Sequence, residues 1–148
     1  MKLVSACLIG VNCNFEGKNW LNPNLLEEFL KGDLFPVCPE VLGDLPVPRV
    51  PAEIQGGDGS DVLAGKAKVV NERDVDVTRQ FVAGATATLR IAQSIGAKEA
   101  LLIEKSPSCG CGLIFDGTFS DKCVEGNGVT AALLKKNGIK VISVKAKP

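Results

Sequence analysis

The chain contains no histidine. That absence removes imidazole as a general base and as a metal ligand, so mixed cysteine–histidine zinc sites and cysteine–histidine nucleophile pairs are excluded. Net charge is missing as well, because 17 basic side chains cancel 17 acidic ones. A chain with no basic excess has no electrostatic footprint for non-specific DNA or RNA binding, although a nucleoside or a structured RNA stays compatible. No apolar run approaches the roughly 20 residues that a membrane helix needs. Met1-Lys2 leads straight into a strand-like run without a cleavable signal pattern, so the expected location is the cytoplasm.

What is present is sulfur. Six cysteines occur in 148 residues, a length that accommodates one domain with a true core, taken here as residues 1–148. A reducing compartment disfavours disulfides, and clustered thiols there are more often catalytic or metal-bound. Three of them sit where short apolar runs end: Cys7 after Lys2-Leu-Val-Ser-Ala, Cys38 after Leu34-Phe-Pro-Val, and Cys109 after the run beginning at Ala100. Such runs read as buried parallel strands. The carboxyl ends of parallel strands converge on one crevice, where ligands bind. The three thiols are therefore expected to meet, and a soft, sulfur-only metal site is the reading to test. Cys123 has no partner nearby in sequence and reads as a small hydrophobe.

Along the chain, strands are expected at 2–7, 34–38, 100–104 and 140–144, with helices from Asn22 to Leu30, from Asp76 or Thr78 to Gly96, and over 128–137. Gly43 to about Asp58, with prolines at 46, 48 and 51, reads as an irregular wrapping loop. Residues 62–71 read as an edge strand or hairpin arm, and 113–119 as a tight hairpin around Asp116-Gly117. The small residues 83–87 suggest close packing of the long helix on a sheet. The alternation argues for an α/β, single-domain, Rossmann-like fold, its mostly parallel sheet flanked by helices.

The loop Lys105-Ser-Pro-Ser-Cys109-Gly-Cys-Gly112 places a thiol between a rigid proline and glycines directly after a buried strand. It lets the backbone approach a bulky anionic group closely and offers it N–H donors, as an iron–sulfur cube requires. Cys111 lies too close to Cys109 for both to hold one cube and reads as a bystander. Pro36-Val-Cys38-Pro-Glu40 repeats the arrangement, with Glu40 placed to act as a general base. After the first strand either Cys7, at the strand end, or Cys13, in the following loop, can serve as the third ligand.

Ser5-Ala-Cys-Leu-Ile-Gly10, Pro36-Val-Cys-Pro-Glu40 with Pro48-Arg-Val-Pro-Ala-Glu53, Asp76-Val-Thr78, Ser106-Pro-Ser-Cys-Gly110 and Asp116-Gly-Thr-Phe119 together resemble the thiouracil desulfidase family. The likeness runs in order from residue 5 to about 142. Two departures are Asn14, where a basic residue is expected, and Gly43-Asp44, where a glycine pair is expected. The resemblance implies a [4Fe–4S] cluster held by Cys7, Cys38 and Cys109, with one iron left open. It implies Glu40 and Ser106 as catalytic residues, with Ser108 the rival serine. The implied reaction is non-redox, hydrolytic removal of sulfur as hydrosulfide from a thiolated pyrimidine such as 4-thiouracil. Free base, nucleoside, nucleotide and thiolated tRNA all stay open as substrate forms, as does oligomeric state.

Other readings are a structural zinc site, a cluster-bearing electron carrier or sensor, and a thiol enzyme using Cys109. The first lacks thiol pairs at zinc spacing, the second needs four ligands and no acid–base pair, and the third lacks its base.

Overall fold

In a computed structural model, which describes residues 1–146, four parallel strands form the central sheet. They are β1 (Lys2–Ser5), β2 (Leu34–Val37), β5 (Glu99–Ile103) and β8 (Lys140–Val144), in the order β2-β1-β5-β8. Leu3 and Val4 of β1, with Ala100 and Leu102 of β5, are fully buried, as strands covered on both faces must be. Lys2 pairs with Leu34 on one side and Leu3 pairs with Ala100 on the other. The chain thus leaves β1 toward β2 and returns to β5 across it, which makes the carboxyl ends of β1 and β5 the switch point of the sheet. The expected fold class is observed.

Five α-helices accompany the sheet among the described residues: α1 (Pro23–Leu30), α2 (Pro39–Leu42), α3 (Gly59–Leu63), α4 (Thr78–Ile95) and α5 (Val129–Lys136). Asn22 caps α1 by accepting from the amides of Asn24 and Leu25, the role its side chain suits. Leu30, the last residue of α1, is 73% exposed. The long helix α4 stops at Gly96, whose φ of +68° a residue without Cβ adopts freely. Its C-terminal half joins the sheet core through Ala92, while Phe81 and Ala85 belong to a second apolar cluster with Ile54, Val69, Ile114 and Val129.

That second cluster revises three expectations. The proline-rich stretch is not irregular throughout. Once Pro51 is passed, Ala52–Gln55 forms β3, which pairs antiparallel with β4 (Lys68–Asn71). Ile54 is thereby buried, and residues 62–63 are helical. The hairpin at Asp116 is wider than expected, because β6 (Leu113–Phe115) pairs with β7 (Cys123–Glu125) across a seven-residue connection, 116–122. Of the small residues of α4, Ala85 joins the cluster over β3 and β4, while Gly84 meets a helix. A Cβ on Gly84 would stand 1.9 Å from the Pro39 carbonyl oxygen, and one on Gly43 would stand 2.0 Å from that of Gln80. Backbone touches backbone there, and this contact seats α2. Asp44, next in the chain, holds φ +71°, a left-handed conformation that glycine adopts without penalty.

Among the described residues, no helix is long and apolar enough to cross a membrane.

Candidate active site

The carboxyl ends of β1, β2 and β5 open onto one cavity of about 670 Å³. Cys7 reaches it from a 3₁₀ turn, Ala6–Ile9, which follows β1 directly. Cys38 reaches it as the residue that starts α2, with Pro39 at the first helical position, where a missing N–H costs nothing. Cys109 reaches it from the turn after β5. Glu40, in the first turn of α2, and Ser106 stand in the same wall. The structure therefore brings all five sequence-predicted site residues to one cavity, and Cys13 and Ser108 with them. Cys111 lines a different groove with Leu113 and Glu125, and Cys123 lies in β7.

The turn carrying Cys109 is tightly bound. Ser106 Oγ accepts from the amides of Ser108 and Cys109, both at 3.1 Å, and its carbonyl accepts from Gly110 at 2.9 Å. The first turn of α5 grips the same segment. The amide of Val129 donates to the Pro107 carbonyl at 2.8 Å, and that of Ala131 donates to Ser108 at 3.0 Å. Ser108, only 2% exposed, donates its hydroxyl to Cys109 Sγ at 3.5 Å. Ser106 thus shapes the turn while its hydroxyl also faces Ser108 Oγ at 3.2 Å.

Electrostatically, the thiols share one environment. Burial, then the neighbouring Cys109, Cys38 and Glu40, push the Cys7 thiol far above its usual range. Burial raises Cys109 to about 12, against the hydroxyls of Ser108 and Ser5, which lower it. Cys38 is lowered to about 7, chiefly by the hydrogen bond from Cys13, whose own thiol is raised by that same bond and by burial. Buried thiols that oppose one another's ionisation are stabilised as thiolates by a bound cation. Two cations line the wall among the described residues, Lys105 and Arg49, and Arg49 is already engaged. Its Nη2 donates to Glu40 Oε2 and, at 2.9 Å, to the Cys13 carbonyl, while Nη1 donates to the Pro46 carbonyl at 3.3 Å. Arg49 and the Cys13–Cys38 contact are what sequence reasoning missed. The only signal for Arg49 was its place between two prolines, Pro48 and Pro51, in a recognised motif.

The donor set discriminates between metal centres. Among the described residues, no three Cys, Asp or Glu side chains are arranged around a single metal ion, as a preformed mononuclear zinc site would have them. Thiols brought to one cavity from three separate strand ends suit a polynuclear centre, which spreads its ligands over several metal atoms. The wall also holds a spare donor. Asn14 Oδ1 accepts from the amides of Glu16 and Lys18, which fixes its amide, and the buried Nδ2 has no acceptor. A sulfide-rich group is rich in acceptors.

The family model described as 2-thiouracil desulfurase matches residues 3–146. The chain belongs to this family. It is 47% identical over 143 residues to YbbK of Bacillus subtilis (strain 168), a protein of uncharacterised function, covering 97% of this chain and 95% of the relative. A solved structure described as the [4Fe–4S]-dependent thiouracil desulfidase TudS superposes with a TM-score of 0.85 at 40% identity. That match spans 96% of this chain and 89% of TudS.

Proposed function

We propose that this member of the 2-thiouracil desulfurase family removes sulfur from a thiolated pyrimidine by hydrolysis, using a [4Fe–4S] cluster held by Cys7, Cys38 and Cys109. Family membership supports the enzyme class and the thiouracil substrate. The similarity to TudS, described as [4Fe–4S]-dependent, supports the cofactor. The observation that carries the reading is the convergence of three thiols from three parallel strand ends on one cavity, with a carboxylate beside them.

Held by Cys7, Cys38 and Cys109 alone, such a cluster would supply a Lewis acid with affinity for soft sulfur. The remaining tasks fall to the chain. Glu40 keeps one carboxylate oxygen on Arg49, which leaves the other to take a proton from water. Ser106 holds the Cys109 turn with its oxygen and can direct its hydroxyl proton toward that water; Ser108 is more deeply committed to Cys109 Sγ. Water supplies the oxygen that replaces sulfur, hydrosulfide leaves, and no electron is transferred overall. A cavity of about 670 Å³ lies within the range of small-molecule sites, roughly 300–1,000 Å³, which favours a base or nucleoside over a folded RNA.

One observation favours a second reading. Cys13 abuts Cys38, so a fourth thiol is at hand, and a four-thiol site would be closed to substrate, as in an electron carrier. Anaerobic purification followed by a sulfide-release assay separates the two. The proposed reading expects brown protein with about four iron and four sulfide per chain, sulfide released from 4-thiouracil, and full activity in Cys13→Ser. Glu40→Ala is expected to keep the cluster and lose turnover, whereas Cys38→Ala loses both. Colourless zinc protein, or a brown protein inert toward thiolated bases, nucleosides, nucleotides and tRNA, overturns the reading.

A further inference from the structure

We propose that Arg49 is a positioning residue that locks Glu40 to the loop bearing Cys13 and so aims its free carboxylate oxygen into the cavity. This rests on the reading of Glu40 as the base. The pair is largely buried, with side-chain exposures of 6% for Arg49 and 16% for Glu40. The other two ion pairs among the described residues, Lys2–Glu99 and Lys105–Glu104, are looser and more exposed. A buried ion pair is a poor stability device, since apolar residues of similar volume often replace it at no cost. Its use here is geometric.

One nitrogen, Nη2, serves both Glu40 Oε2 and the Cys13 carbonyl. That carbonyl also faces Cys38 Sγ at 3.7 Å. The Arg49 amide donates to the Phe15 carbonyl at 2.8 Å, and Nη1 takes the Pro46 carbonyl. The guanidinium therefore ties α2, the loop 13–15 and the proline strap 46–49 into one body around the carboxylate. With Oε2 occupied, only Oε1 is left for a reacting water. The planar fork makes this arrangement; a lysine ammonium carries the charge without the fixed geometry.

The test compares Arg49→Met and Arg49→Lys with wild type and Glu40→Gln, measuring kcat and KM for sulfide release together with iron content. Misplacing a catalytic group by about 1 Å costs on the order of 10²-fold in rate. Arg49→Met is expected to lose kcat on that scale, with KM within about three-fold of wild type and iron unchanged. Arg49→Lys is expected to recover roughly ten-fold of the loss. Wild-type kcat in Arg49→Met overturns the proposal. So does loss of iron or a parallel change in KM, either of which marks a role in holding the site together. If Glu40→Gln is itself fully active, the base reading fails first; if Glu40→Gln is inactive while Arg49→Met is not, only the positioning role fails.

Discussion

Gly84→Ala should do the opposite of what helix propensity alone expects. In the interior of an exposed helix, replacing glycine by alanine gains about 1 kcal/mol. At position 84 the new methyl would lie 1.9 Å from the Pro39 carbonyl oxygen, 2.8 Å from its carbon and 3.3 Å from the Gly43 amide nitrogen. All three are backbone atoms, so no side chain can swing away. The helices α2 and α4 must part by about 1 Å or more to restore ordinary contact, and overpacking of this kind costs about 1–3 kcal/mol. The net loss of up to about 2 kcal/mol lowers Tm by up to roughly 8 °C for a chain of this size. The retreat also carries Glu40 and the Cys38 end of α2 with it. Displacement on that scale predicts a fall in sulfide release on the order of 10²-fold, larger than the stability change implies. Thermal melting and the sulfide-release assay on the same preparation read both effects. An equal or higher Tm with full activity would refute the reasoning, since it would mean that α2 is not seated by the glycine contact.

Two further perturbations probe the surroundings of the site. Asp44→Gly relieves the left-handed backbone at φ +71° and should stabilise the chain by about 0.5–1 kcal/mol, visible as a shift of the urea midpoint at unchanged activity. Glu53→Ala removes the carboxylate oxygen that accepts from the amides of Gly117 at 2.9 Å and Phe119 at 3.2 Å. Two donors left without a charged partner should cost about 2–4 kcal/mol, with the exchange of those two amides accelerating most in hydrogen-exchange measurements.

Much of the frame was legible because its signals are local. Val- and Leu-rich runs ended by cysteine specify strands that can only be buried, and their spacing with helical segments implies parallel pairing. The strand 140–144 and the helix ending at Gly96 were readable to the residue, since a single glycine with positive φ stops a helix wherever it stands. The strand 52–55 was hidden by the prolines before it; its partner lies at 68–71, and only pairing with that distant segment makes it a strand. Helix α2 was hidden because four residues carry no periodicity.

The site divides along the same line. Sequence alone determined that thiols follow three strands, that no imidazole is available to them, and that a carboxylate follows the second. These follow from residue identity and from the direction in which parallel strands point. Only the tertiary structure decided that Cys13 lies against Cys38, that Ser106 spends its oxygen on the Cys109 turn, and that Arg49 occupies one oxygen of Glu40. Each of these joins segments that are distant along the chain or turns on the direction of one hydroxyl. Such contacts arise from packing between elements, so no pattern of residues in any one element can encode them.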